Sequence, residues 1–193
     1  MKVLITGGYG FIGSHVAEHF HKEGYEVHIL DNLITGKKEN VKIKHKSYIL
    51  SVEDPKCKDI FKSYNFDIVV HLAAQVSVAK SIVNPINDAQ SNIVGLINML
   101  HLAGQHHVKK FIFASSAAVY GNNAHFPLVE NLETNPISPY GISKRVGEHY
   151  CLNWTEQYDL DTICFRFSNV YGPRQTSEGE GGVVSIFTSR ILD

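Results

Sequence analysis

Short, nearly continuous apolar runs alternate along the chain with longer stretches whose apolar residues recur at helical spacing. Runs of the first kind read as strands buried on both faces. They are Lys2–Thr6, Glu26–Leu30, Ser47–Leu50, Asp67–Leu72, Lys109–Ser115 and Asp161–Phe167. The stretches between them predict helices over Phe11–Lys22, Asp54–Ser63, Asp88–Gly104, Pro139–Tyr158 and Val183–Leu192. In Asp88–Gly104 the apolar residues Ile93, Leu96, Ile97 and Leu100 share one face. Asp54–Pro55 marks one helix entry, and Ser138 with Pro139 behind it marks another. Asn122–Asn135 has no periodicity and reads as a loop that could cover a ligand. Strands joined by helical crossovers make a doubly wound α/β domain around a parallel sheet. No internal repeat or low-complexity segment interrupts it.

Composition narrows the classes of function. Of the 193 residues 44% are hydrophobic and 19% charged, as in ordinary globular domains. A net charge of −1 gives no electrostatic reason to expect nucleic acid or an anionic membrane as partner. The lysines at 37, 38, 42, 44 and 46 form a local basic patch, read as solvated surface or the neighbourhood of a cofactor phosphate. Three cysteines without Cys-x-x-Cys spacing point to a reducing compartment, with neither a disulfide framework nor a structural zinc site. The first apolar run is broken by Gly7–Gly8, too early for a secretory signal, and no run approaches the ~18 residues that span a bilayer. A cytoplasmic protein is expected. No metal site is expected among the histidines.

The stretch ITGGYGFIGSHV holds four glycines in twelve residues. Glycine costs about 0.5–1 kcal/mol against alanine inside a helix, yet Gly7, Gly8, Gly10 and Gly13 cluster where a strand should run into a helix. Gly7, Gly10 and Gly13 form G-x-x-G-x-x-G in that context, the dinucleotide-binding pattern of the Rossmann fold. The first glycine permits the turn, the second lets a pyrophosphate approach the backbone, and the third lets helix and strand pack closely. The phosphates then meet the free amides of the helix N-terminus. Asp31 ends the second strand, where an acidic group binds the adenosine ribose hydroxyls and repels a 2′-phosphate. NAD is therefore expected as cofactor, in preference to NADP.

Candidate chemistry lies at the same sheet edge. Ser115–Ser116 ends the fifth strand, and Tyr140 and Lys144 stand one turn apart on a helix face. A free phenol with a pKa of about 10 is a poor base at neutral pH. A neighbouring ammonium and a cationic nicotinamide favour its phenolate. Tyr140 would take a proton from an alcohol whose carbon gives up hydride, while Ser116 would hydrogen-bond the same oxygen.

These motifs resemble the extended short-chain dehydrogenase/reductases. Within them, the chain is most similar to the UDP-glucose 4-epimerase group of nucleotide-sugar epimerases. The resemblance rests on ITGGYGFIGSHV, DNLITG at Asp31–Gly36, HLAAQ at His71–Gln75, SSAAVYG at Ser115–Gly121, SPYGISK at Ser138–Lys144 and FRFSNVYGPRQ at Phe165–Gln175. It implies that Phe11 and Ile12 lie over the pyrophosphate, that Asp31 and Asn32 bind the ribose, and that Leu72, Ala73 and Ala74 line the cofactor groove. It further implies that Asn92 helps hold the active site and its water, that Lys144 also binds the nicotinamide ribose, and that Asn169 contacts the nucleotide-sugar diphosphate. Arg166 is read as structural. The implied substrate is a UDP-hexose, bound in part by Ser116 and Tyr140, with turnover through a transient 4-keto sugar. A homodimer pairing through Asp88–Gly104 and Pro139–Tyr158 is implied as well.

Two departures qualify the resemblance. Ser51–Val52 stands where many members have an Asp that reads the adenine amine, leaving Val52 to pack on the ring. Members also continue into a C-terminal region that covers the sugar nucleotide. Here residues 1–170 read as the NAD-binding domain and 171–193 as the start of that region, largely missing, with Glu178–Phe187 resembling its opening. Three alternatives stay open: an NAD-binding protein without turnover, a nucleotide-sugar oxidoreductase, and a dehydratase. The last is disfavoured by Ala117–Ala118, where a dehydratase needs an Asp-Glu pair.

Overall fold

The computed structural model describes residues 1–176 and 182–192. Six parallel strands form one sheet in the order β3-β2-β1-β4-β5-β6. They are β1 (Lys2–Thr6), β2 (Glu26–Asp31), β3 (Lys46–Ile49), β4 (Ile68–His71), β5 (Lys110–Ser116) and β6 (Asp161–Phe167). The helices are α1 (Phe11–Lys22), α2 (Cys57–Ser63), α3 (Val78–Val83), α4 (Pro85–Ala89), α5 (Gly95–Gln105), α6 (Pro139–Tyr158) and α7 (Val183–Leu192). This is the doubly wound order, and its switch point lies between β1 and β4, where a crevice opens beyond the strand ends.

Alternation along each strand feeds two cores. Leu4, Leu30 and Val69 face a core closed by α2, α5 and α6, whose centre holds Phe61, Leu96 and Met99. Val3, Ile5, Val27, Ile29 and Val70 face the other, closed by α1 through Ala17. On that second face α1 covers β1 and β2, and Val70 of β4 is buried as well. Beyond α1 an apolar groove runs past Leu72, Ile112, Ala114 and Phe167, and Phe165 is 46% exposed.

Several boundaries differ from the sequence expectation. The helix predicted over Asp88–Gly104 is α4 and α5 joined by a wider π turn, Gln90–Val94. It starts earlier because Asn84 caps it, accepting from Asn87 N, with Pro85 in the first turn. The six-residue α3 was not expected; Ser77 Oγ caps it by accepting from Lys80 N. Helix α2 starts at Cys57, not Asp54, because Asp54 is spent on a turn, its side chain accepting from Lys56 N and its carbonyl from Cys57 N. Strand β2 gains Asp31, β3 and β5 shift by one residue, and β4 is shorter at both ends. The other expected strands and helices have the expected bounds, and Asn122–Asn135 carries neither helix nor strand. Part of Glu178–Phe187, residues 178–181, lies outside the described residues.

Candidate active site

The crevice floor is the β1–α1 turn. Gly7 adopts φ +68, and a β-carbon there would stand 2.8 Å from Ala73 N. Gly13 is more constrained, since its β-carbon would fall 2.1 Å from the Gly7 carbonyl oxygen. The third glycine thus lets the helix close on the turn itself. Gly8, to which the motif assigns no role, has no room either, with Ile29 Cγ2 2.8 Å from a β-carbon. Gly10 differs: only Gly7 O, at 3.2 Å, lies within 4 Å of such an atom, so the turn is open there. The amides opening α1 have no side-chain cap. An open backbone patch at a helix N-terminus fits a diphosphate.

Asp31 is oriented before any ligand arrives. Its Oδ2 accepts from Tyr9 N at 3.0 Å and its Oδ1 from Leu33 N at 2.8 Å. A carboxylate has about four acceptor positions, so capacity remains for a ribose diol. Tyr9 is the hub of this corner. Its carbonyl accepts from Lys37 N and Asn40 Nδ2, and its hydroxyl donates to Ser47 Oγ and pairs with His45. Asn32 Nδ2 donates to Ser51 Oγ, joining the ends of β2 and β3. Val52 is only 5% exposed and sits in the core, where its Cγ2 would stand 2.6 Å from a β-carbon on Gly95.

On the far wall, Leu72–Ala74 leaves β4 pinned to β1: Leu72 N donates to Thr6 O and Ala73 N to Thr6 Oγ1. The same hydroxyl lies 3.0 Å from His71 Nδ1. Burial, and to a lesser extent the Lys144 charge, lower the His71 pKa to about 3, so the ring is neutral. Asn92, on the π turn, is buried and committed to protein partners. Its Oδ1 accepts from Gln75 N, and its Nδ2 faces Gln75 O, Asp88 Oδ1 and Ser143 Oγ. These bonds hold the segment that follows the groove lining.

Ser116 ends β5, and the α6 turn carrying Tyr140 and Lys144 is fastened to the same strand end through Ala114 O. Ser116 stands opposite Phe167, and its Oγ accepts from Ala118 N. Ser138 caps α6 by accepting from Gly141 N, and Tyr140 N donates to Ser81 Oγ. Lys144 is 4% exposed, donates to Ala114 O at 2.8 Å, and has its ammonium 5.7 Å from the Tyr140 ring centre. Burial lowers its pKa to about 8, against an opposing pull from Asp88. The geometry can keep a cation beside a phenol away from bulk water.

Residues 3–193 match the family described as NAD dependent epimerase/dehydratase. The chain is a member of that family. A putative UDP-glucose 4-epimerase of Methanocaldococcus jannaschii is 43% identical over 98% of the chain. Among solved structures, the UDP-glucose 4-epimerase of Thermotoga maritima, crystallised with UDP-glucose, matches with a TM-score of 0.97 at 45% identity. That of Thermus thermophilus, in complex with NAD, matches with a TM-score of 0.95 at 41% identity. Both alignments cover 100% of this chain and 63% of theirs. The chain likewise spans 63% of the M. jannaschii relative.

Phe11 and Ile12 open α1 and are half-buried, while Asn169 is exposed two residues past β6. The segment after Asn169 is fastened to α1, since His15 Nε2 pairs with Pro173 O and Arg174 makes a bidentate ion pair with Glu18. His15 and His19 form a His-x-x-x-His pair one helical turn apart on α1, contrary to the expectation that the histidines hold no such spacing. Among the described residues no group of three or more His, Cys, Asp or Glu could hold a metal. Sequence reasoning missed Glu148, which accepts hydrogen bonds from Ser115, Arg145 and Arg166. Its signal was available: it lies four residues beyond Lys144 on α6.

Proposed function

We propose that this chain carries the NAD-binding and catalytic residues of a nucleotide-sugar 4-epimerase acting on a UDP-hexose of the UDP-glucose/UDP-galactose type. The observation that carries the reading is Lys144. A buried ammonium held by Ala114 O lies one turn from Tyr140, and the glycine turn after β1 is open at Gly10. The names of the relatives point the same way.

In this reading Gly7, Gly10 and Gly13, with Phe11 and Ile12, would hold the diphosphate of NAD, and Asp31 and Asn32 would hold the adenosine ribose. Leu72, Ala73 and Ala74 line the groove, and Val52 borders the adenine through what little of it is exposed. Asn92 contributes by holding the Gln75 segment. When bound, NAD would supply the hydride acceptor and donor needed at the sugar C4. Tyr140 takes the proton of the 4-hydroxyl and gives it back. Lys144 favours the phenolate and binds the nicotinamide ribose, and Ser116 hydrogen-bonds the reacting oxygen. Asn169 holds the diphosphate of the sugar nucleotide. Ala117 and Ala118 offer no acid or base for dehydration.

The remaining assignments belong to the same proposal. Residues 1–170 form the cofactor domain and 171–193 begin the substrate-binding part. The protein works in the cytoplasm. It pairs as a homodimer through the Asp88–Gly104 segment and α6, a choice supported by the exposed apolar side chains of Val94, Ile142 and Leu152.

The test is incubation of the longest natural form of the chain, with NAD, with UDP-glucose, UDP-galactose and their N-acetyl forms. Interconversion of one pair is expected. Failure with every nucleotide sugar overturns the reading, and bound NAD without any turnover favours a binding protein.

A further inference from the structure

Tyr140, Lys144 and Glu148 follow one another at single-turn spacing along one face of α6. The first two belong to the proposed chemistry, but Glu148 does not, although it is only 7% exposed. A buried carboxylate needs partners, and Glu148 has them on three elements. Its Oε1 accepts from Ser115 Oγ at 2.6 Å and Arg166 Nε at 2.8 Å, and its Oε2 accepts from Arg166 Nη2 and Arg145 Nη1 at 2.9 Å. Burial alone would raise its pKa. The bonds from Arg166, Ser115 and Arg145 outweigh burial and hold it below the usual carboxylate value.

Arg166 continues the network outward. Its Nη1 donates to the Tyr120 hydroxyl and to the Glu130 carbonyl, each at 2.9 Å, and its guanidinium lies 4.9 Å from the Tyr120 ring centre. Glu130 belongs to the 122–135 loop, whose ends meet where the Asn135 carbonyl abuts Gly121. Two of the last three residues of β5 are thus tied to α6 through successive turns of the helix: Ala114 O by Lys144, and Ser115 Oγ by Glu148. Ser116 is next in the chain. One planar fork on β6, bidentate on Glu148, joins the helix bearing Tyr140 and Lys144 to the turn that follows Ser116, through Tyr120, and to the 122–135 loop, through Glu130.

We propose that Glu148 and Arg166 are a positioning pair. They set the register of Tyr140 against Ser116 and clamp the 122–135 loop, thereby acting on turnover and leaving cofactor binding alone. The inference rests on the function proposed above. Neither residue touches the reacting atoms.

The experiment compares Glu148→Gln, Arg166→Gln, Arg166→Lys and Ser115→Ala with the unaltered protein. The measurements are kcat and KM for the UDP-hexose interconverted, bound NAD per chain, Tm, and cleavage after Glu130 by a glutamate-specific protease. A misplacement of about 1 Å costs roughly 100-fold in rate. Expected are a kcat loss of that order in Arg166→Gln, a smaller loss in Arg166→Lys, NAD content near that of the unaltered protein, and faster cleavage after Glu130. Should Glu148→Gln fail to fold, Ser115→Ala and Arg166→Lys still read the pair. Unchanged kcat in every folded variant, or a fall in kcat that only tracks lost NAD, overturns the inference. If the unaltered protein turns over no nucleotide sugar, the functional proposal fails, and the positioning role in that reaction fails with it. Faster cleavage after Glu130 in Arg166→Gln would then leave only a structural clamp, so the two failures are told apart.

Discussion

The carbonyl oxygen of Ala118 stands 2.7 Å from the place a β-carbon on Gly141 would occupy. The short 3-10 turn that follows Ser116 and the first turn of α6 therefore touch backbone to backbone, and only glycine at 141 permits it. Ala118 is held in that turn by Ser116 Oγ, which accepts from its amide. Gly141→Ala should push the opening of α6 away from Ser116. Overpacking costs about 1–3 kcal/mol, to be read as a lower urea midpoint. Turnover should fall at least tenfold while the NAD content of the folded protein is kept. A variant that loses NAD but keeps its turnover per bound NAD would contradict this account.

Tyr140→Phe removes one oxygen from a half-buried ring whose helix is anchored independently by Ser138 and by Ser81. Fold and cofactor binding should survive. The proposed proton transfer should not, and the rate should drop by roughly 100- to 10,000-fold, the usual contribution of a positioned acid or base. Turnover close to that of the unaltered protein would remove Tyr140 from the chemistry.

The pH dependence of turnover should carry the mark of Lys144. Burial holds its pKa at about 8 instead of 10.5, so its charge is lost as pH rises through about 8. A neutral amine no longer favours the phenolate, and kcat/KM should decline above that pH. A profile still rising through pH 9 would show that the Lys144 charge is not needed.

His71 makes a stability prediction of definite sign. Thr6 Oγ1 accepts from Ala73 N, which leaves its proton free to donate to Nδ1 of the neutral ring. The pKa falls from 6.5 to about 3 on folding. Between those values the unfolded chain binds the extra proton, so this stability is full above about pH 6.5 and is lost as pH falls through about 3. From pH 7 to pH 5 the linkage amounts to about 2 kcal/mol. His71→Asn should lack most of this slope in urea denaturation, and an identical slope in both proteins would refute it.

What the sequence disclosed depended on distance along the chain. The glycines of the first turn, Asp31 and the Tyr140–Lys144 pair lie within single windows, where spacing carries geometric meaning, and the fold class followed from the strand–helix alternation. The π turn at Gln90–Val94 left no mark, because Ile93, Leu96, Ile97 and Leu100 keep a helical face whether or not one turn widens. The Asn84–Pro85 cap was visible in the sequence and was passed over. Ser115, Glu148 and Arg166 belong to three elements and meet only when β5, α6 and β6 pack. The reason for glycine at 141 is also tertiary, since its obstacle is the carbonyl of Ala118.

Asp31 offers the sharpest test of cofactor choice. Its carboxylate is held by the amides of Tyr9 and Leu33, and Gly36 crowds it so closely that a β-carbon there would lie 2.8 Å from Oδ1. A carboxylate so fixed cannot swing away from a 2′-phosphate. With the proposed ribose placement it would accept from two hydroxyls and repel an added phosphate, and NADP should bind far more weakly than NAD. Asp31→Asn keeps the volume but turns one acceptor into a donor and removes the charge. A hydrogen bond to a charged group is worth about 1.5–3 kcal/mol, or roughly 10- to 150-fold in affinity at 1.4 kcal/mol per decade. Calorimetric titration should show NAD affinity falling by that factor while NADP affinity holds or rises. Equal affinities for the two dinucleotides in the unaltered protein would mean that Asp31 does not face the ribose.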